Sequence, residues 1–406
     1  MPQESNLEDS VRITVGGRVF DLKAGGPICG ARVIALDENN IAASDTTFTD
    51  RNGEFLLQIP VALGTNVAKA GYKLRADALG YQPFPNRLQT APSFSISDAI
   101  EGAEATDHLH LESVATEIGL LPLTDGVGLI SGKILSTAPA GTLIVAGTAT
   151  GIADLKGNYT VFNVPVGEVA VEGYAKGANF KGRTAVVKAG KKTKAIDLEV
   201  LSVAIATVSG SVQIANAPEN LVTSVALSVK ETFKEPQMTG DVPPGLRVGG
   251  VKGFWSIDKV PNGRYVVLAA FEDDGLVRDP DPSLGNQIMH VTVSGSDVIT
   301  EGFKLTRALD VIVPGGQGTP VVNGVPRFEW STEPSVDSYI VSLVDAFGNP
   351  IWQTELPGSR GASTMFIEYM GPPLSGGMFY QFRAVAIRNG VPSSSTKDQK
   401  GVFLYQ

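Results

Sequence analysis

A single cysteine, Cys29, stands in 406 residues, which excludes an intrachain disulfide framework and any cysteine-based zinc site. Three histidines leave little general-base material. Charged residues make up 18% of the chain, too few for a protein built of long, salt-bridged amphipathic helices. Long hydrophobic runs are missing as well. The longest uncharged stretch, Ile134 to Ala153, contains Pro139 and three glycines and is too polar and broken to cross a bilayer as a helix. The N-terminal MPQESNLEDS is acidic and lacks the apolar core of a signal peptide, so residues 1–10 read as a tail. Gly-x-Ser-x-Gly, His-Glu-x-x-His, a phosphate-cradling glycine loop and a dinucleotide fingerprint are all absent. The chain therefore does not read as an enzyme, and neither catalytic residues nor a bound organic cofactor are expected.

What is present is turn chemistry: 46 Gly and 25 Pro, with β-branched and aromatic residues spread between them. Lys plus Arg is 33 against 42 Asp plus Glu, a net charge of −9, so a nucleic-acid backbone would be repelled. Length and composition together predict a turn-rich protein of several domains.

Internal repetition is the strongest signal. The segment Gly157-Asn158-Tyr159-Thr160-Val161-Phe162-Asn163-Val164-Pro165-Val166-Gly167 matches Gly253-Phe254-Trp255-Ser256-Ile257-Asp258-Lys259-Val260-Pro261-Asn262-Gly263 in its glycine, its aromatic two residues on and its Val-Pro-x-Gly. A third copy, Gly53 to Pro60, is one residue shorter. Each copy is followed by alternating apolar residues (Tyr72, Leu74, Ala76; Val169, Val171; Tyr265, Val267, Ala269), the period of a strand with one buried face. The Asp-x-Asn-Gly or Lys-Gly before each aromatic predicts a hairpin turn with glycine at positive φ. Phe55, Tyr159 and Trp255 share one repeat position and are expected as core plugs. Opening strands precede the copies at Gly17-Arg18-Val19-Phe20, Ser131-Gly132-Lys133-Ile134 and Ser209-Gly210-Ser211-Val212.

These features resemble the carboxypeptidase regulatory-like domain, a transthyretin-like β-sandwich also comparable to collagen-adhesin B-type repeats. The resemblance covers three units: 11–113, 126–200 and 207–313. It implies a sandwich of about seven strands and no particular function, because this module is an accessory in many unrelated proteins. Cys29, between Ile28 and Gly30, is expected as a buried or half-buried inert thiol. The last segment, 320–406, resembles a fibronectin type III domain, with Trp330 as core tryptophan and Tyr380, six residues after Leu374, as the corner tyrosine. The expected fold is thus all-β: tandem Ig-like or prealbumin-like sandwiches in an elongated multidomain rod, joined by linkers near 114–126, 200–207 and 314–320.

Three clusters are candidate sites. The acidic run from Glu272 to Asp281 places Asp273, Asp274, Asp279 and Asp281 beside Gly and Pro turns, where clustered carboxylates can bind calcium or instead pair with Arg278. His108, His110 and Glu112 alternate along one strand face and could ligate zinc or copper given a further ligand. Six cations, Lys181, Arg183, Lys188, Lys191, Lys192 and Lys194, crowd a module (126–200) that carries nine Lys/Arg against five Asp/Glu. They read as guards of an exposed strand edge, or as a docking patch for an acidic partner.

The resulting expectation is a non-catalytic bacterial cell-surface or periplasmic structural and adhesion protein acting through protein–protein contacts, including contacts with copies of itself. It would be exported, with any signal or lipid anchor outside the given chain. A carbohydrate-binding surface protein with glycan partners and a virion or filament assembly component are the alternatives.

Overall fold

The structure, a computed structural model, describes residues 10–62, 71–86, 88–95, 98, 100–101, 108–111, 114–123, 126–235, 238–280, 287–358 and 361–406. The described residues are strands and turns with no α-helix; the only helical pieces are single 3-10 turns such as Lys230–Thr232. The chain divides into two compact units, 1–202 and 203–406.

In the first unit, the long opening strand Ser10–Asp21 pairs antiparallel with Glu54–Ala62 and parallel with His108–Leu111 and Glu117–Leu120. A second sheet is built on Arg32–Asp37 and Gly71–Asp77. Their facing apolar rows, Ile13, Val15, Phe55 and Leu57 against Val33, Ala35, Leu74 and Ala76, close one core. The stretch after residue 113 is therefore not all linker, since Glu117–Leu120 hydrogen-bonds alongside Arg18 to Asp21.

The second module repeats this plan. Val127–Leu135 lies antiparallel to Asn158–Pro165 and parallel to Lys192–Thr193 and Leu198–Leu201. Here the two layers join into one nine-stranded sheet, because Ala178–Phe180 pairs with Leu198–Leu201 on one side and Gly167–Ala175 on the other. Ile130, Ile144, Tyr159, Val161, Val171 and Leu198 form its core.

In the second unit, Ala206–Ile214 pairs with Phe254–Val260 and runs parallel to Val298–Ile299 and Phe303–Arg307. Thr223–Val229 and Gly263–Ala269 build the opposing sheet. The last module packs a three-stranded sheet centred on Arg327–Ser331 against a six-stranded one containing Ser338–Asp345 and Met378–Arg388. Val311–Val313 already pairs with Arg327–Ser331, so the last module's sheet begins before the proline-glycine stretch.

The repeat has a physical basis visible in the register. Gly17 sits opposite Phe55, Gly132 opposite Tyr159 and Gly210 opposite Trp255. A Cβ on Gly132 would come within 2.9 Å of the Tyr159 hydroxyl, and one on Gly210 within 2.9 Å of the Trp255 ring. Each aromatic lies across the bare backbone of its glycine and is almost wholly buried, 4%, 2% and 2% exposed in turn. The longer second and third copies carry one extra residue as a β-bulge, with Asn163 at φ 59° and Lys259 at φ 56°. The shorter first copy pairs without a register shift.

Two expectations are corrected. Gly53 (φ 76°) and Gly157 (φ 81°) take positive φ in turns closed by Asp50 and Asp154, whose carboxylates accept two backbone N–H groups each. The third copy lacks that aspartate, and positive φ falls on Gly250 (67°) rather than on Gly253. Cys29 is exposed, because it sits at the corner between buried Ile28 and the left-handed Gly30.

Candidate interaction sites at the module junctions

The expected sites are distributed as follows. All six cations of the 181–194 cluster are exposed, and no carboxylate partner within ion-pair distance is seen for any of them among the described residues. Arg183–Val187, the strand that carries part of the cluster, pairs on one side only, with Gly167–Ala175. The edge is thus flanked by Lys181 and Lys188 at its two ends, and Lys191 and Lys192 lie across the following turn. His108 and His110 lie on the strand His108–Leu111, but their side chains, and Glu112 entirely, fall outside the described residues. Among the described residues no group of three or more His, Cys, Asp or Glu is placed to hold a metal ion.

The acidic run is engaged by lysines. Asp273 pairs with Lys400 at 2.8 Å, Asp274 with Lys397 at 2.7 Å and Asp279 with Lys304 at 2.8 Å; Asp281 lies outside the described residues. Arg278 instead lies over the Phe303 ring, 5.1 Å from its centroid, and burial lowers its pKa to about 10.

Lys397 makes the junction inside the second unit. Its ammonium, on the last module, is 3% exposed and donates to Asp274 Oδ1 and to the carbonyl oxygens of Ala270 and Leu276 on the preceding module. Three donors meet three acceptors, the full capacity of an ammonium. Asp274 is held in turn by the Thr223 hydroxyl, which donates to its Oδ2 at 2.6 Å. Around this centre Gln399 donates to the Phe271 carbonyl and the Ser394 hydroxyl to that of Arg307, while Leu309 N–H donates to Ser395 O at 2.9 Å. Sequence reasoning found the carboxylates and missed their partner, since Lys397 is 123 residues away from Asp274 and nothing local marks it.

The first unit has an analogous junction built on arginine. Arg32 and Arg75 stand on neighbouring strands of the first module, 1% and 8% exposed, with Asp77 between them at 2%. Arg75 holds Asp77 at 3.0 Å, and Arg32 lies 3.6 Å from it. Their outer nitrogens cross to the second module: Arg32 Nη2 donates to Ile152 O at 2.6 Å and Arg75 Nη2 to Thr150 O at 3.0 Å. Thr150 and Ile152 are alternate residues of the edge strand Ala149–Ile152. The two guanidiniums thus occupy acceptors that an added strand would otherwise use. Burial pulls the Arg32 pKa below its ordinary value, opposed by Asp77 and reinforced by Arg75.

The bulge residue Asn163 completes this junction. Its amide donates to the carbonyls of Ala78 and Tyr81 and its oxygen accepts from Gly80 N–H at 2.8 Å. The extra residue of the second repeat therefore aims a side chain into a turn of the first module. Lys156 and Asp45 pair at the exposed rim.

In the last module Trp330 is 0% exposed, and the Tyr380 hydroxyl accepts from Ser375 N–H at 2.8 Å, tying down the corner loop. Trp352 packs edge-on to Tyr369, with ring centroids 5.4 Å apart. No helix among the described residues is long and apolar enough to cross a membrane.

No protein-family model matches the chain, and no curated protein matches it. Solved structures do resemble it at low identity. The TIE protein of Bacillus anthracis is 12% identical, covering 100% of this chain and 75% of that one, with a TM-score of 0.18. A variant of the major pilin subunit of Bacillus cereus is 12% identical over 72% of this chain and 99% of its own, at 0.19. The minor pilin of Streptococcus agalactiae is 11% identical over 46% and 99%, at 0.20. At such scores the architecture rests on the sheets and cores themselves.

Proposed function

We propose that the chain is a non-catalytic structural protein of a bacterial cell surface, acting through protein–protein contacts, with three carboxypeptidase regulatory-like modules followed by one fibronectin type III-like module. The observation that carries this reading is the pair of buried cationic joints, Arg32 and Arg75 in the first unit and Lys397 in the second. Each joint uses charged side chains that contact the adjoining module and are almost entirely removed from water. A protein whose task is to hold a surface in place needs neighbouring modules that do not hinge freely, and such contacts supply that. The aromatic repeat positions Phe55, Tyr159 and Trp255 are consumed by packing, so they do not serve as sugar-stacking platforms.

The test is labelling of intact source cells with a membrane-impermeant amine reagent. Exposed lysines such as Lys188 and Lys191 should be modified on unbroken cells. Modification only after lysis would overturn the surface assignment.

A further inference from the structure

Buried polar atoms without partners are uncommon, and each calls for an explanation such as a bound ion or water. Two of them meet in one place in the first unit. Arg32 Nη1 and Thr46 Oγ1 are both buried and make no hydrogen bond, and both residues line a groove of about 510 Å³ between the first module and the second. That volume is within the range of small-ligand sites. At its rim stand Lys133 and Lys192, both exposed, with no ion-pair partner seen among the described residues.

Two carboxylates also line the groove, each tied to the backbone through one oxygen. Asp154 Oδ1 accepts the backbone N–H groups of Lys156 and Asn158 at 3.0 and 2.8 Å, and Asp197 Oδ1 accepts that of Lys133 at 2.8 Å. Deeper in, the same Arg32 Nη1 faces Asp77 Oδ2 at 3.6 Å, an ion pair too long to be a hydrogen bond, while Arg75 holds that carboxylate at 3.0 Å. Three cations, Arg32, Lys133 and Lys192, thus line the groove against two carboxylates, which leaves a net positive charge there.

We infer that this groove binds an oxyanion, a phosphate or carboxylate group carried free or on a sugar-sized molecule. Such a group would provide the acceptor that Arg32 Nη1 and the Thr46 hydroxyl lack, and its charge would be met by Lys133 and Lys192 through charge-assisted hydrogen bonds. The inference does not depend on the surface role proposed above, and it takes Lys192 out of the edge-guarding cluster and assigns it to a ligand.

Arg32 also holds the joint, so its removal would confound folding with binding, and the two rim lysines are the residues to change. The full chain is titrated calorimetrically with inorganic phosphate and with glucose 6-phosphate, at ionic strength held constant with sodium chloride. One-site saturable heat is expected, with affinity falling about tenfold or more in Lys133→Gln/Lys192→Gln, the loss of charge-assisted contacts. The control Lys181→Gln/Lys188→Gln, outside the groove, should bind as the wild type does. Tighter binding of the sugar phosphate would assign the site to a sugar-borne group, and equal affinity would assign it to the free anion. Absence of saturable heat with either probe, or equal weakening in both double variants, would overturn the inference.

Discussion

At the scale of the residue, the repeat is a contact between an aromatic ring and the bare backbone of a facing glycine. Gly210→Ala should cost about 1–3 kcal/mol, the usual penalty for overpacking, read as a lowered denaturant midpoint. An unchanged midpoint would mean that the Thr300 hydroxyl and the Trp255 ring can both move aside. The aromatics were legible in the sequence because they recur at one offset. Their glycine partners read only as members of the opening strands, since register is a property of pairing and not of spacing. Tyr159 illustrates a linked effect. Burial, with Asp197 adding to it, raises its pKa above the ordinary value of 10.0. Unfolded tyrosines lose their proton near that value while the native one keeps it, so stability is complete below pH 10 and falls as pH rises above it. Alkaline denaturation followed by circular dichroism should show this fall, and Tyr159→Phe should make it shallower. Stability that stays flat or rises above pH 10 would contradict the assignment.

Among elements, edge strands decide how the modules behave toward other chains. Ala149–Ile152 is covered, its outward carbonyls taken by Arg32 and Arg75. Among the described residues Arg183–Val187 pairs with a strand on one side only; the Val186 carbonyl accepts from the Thr193 hydroxyl at 3.1 Å, and Val186 is 62% exposed among flanking cations. The guarding reading of Lys181, Arg183 and Lys188 predicts that replacing all three with threonine promotes edge-to-edge association. Light scattering of the purified variant should show concentration-dependent oligomers, and a variant that stays monomeric would leave these cations without that role. The opening strand, hairpin turn and following strand of each repeat were readable from period-two patterns and turn residues. The joining of the second module's two layers through Ala178–Phe180 was not, because three residues carry too little periodicity to show which neighbours they pair with.

Over the whole molecule, the candidate sites were half legible. The acidic run from Glu272 was visible as a cluster of carboxylates that could bind calcium or pair with Arg278. The cations that lie against it are Lys397, Lys400 and Lys304, two of which belong to the adjoining module. A composition of single residues cannot reveal a partner more than a hundred positions away. Buried cations couple neighbouring modules within each unit. Lys397→Met leaves Asp274 and two carbonyls without their donor and should cost about 3–5 kcal/mol, as breaking a buried pair does. The most direct measurement is hydrogen exchange by mass spectrometry across a denaturant series. In the wild type, peptides from 207–313 and from 320–406 should lose protection at one common denaturant concentration, and in Lys397→Met at two separate ones. Separate midpoints already in the wild type, or a common midpoint that survives the substitution, would contradict this coupling.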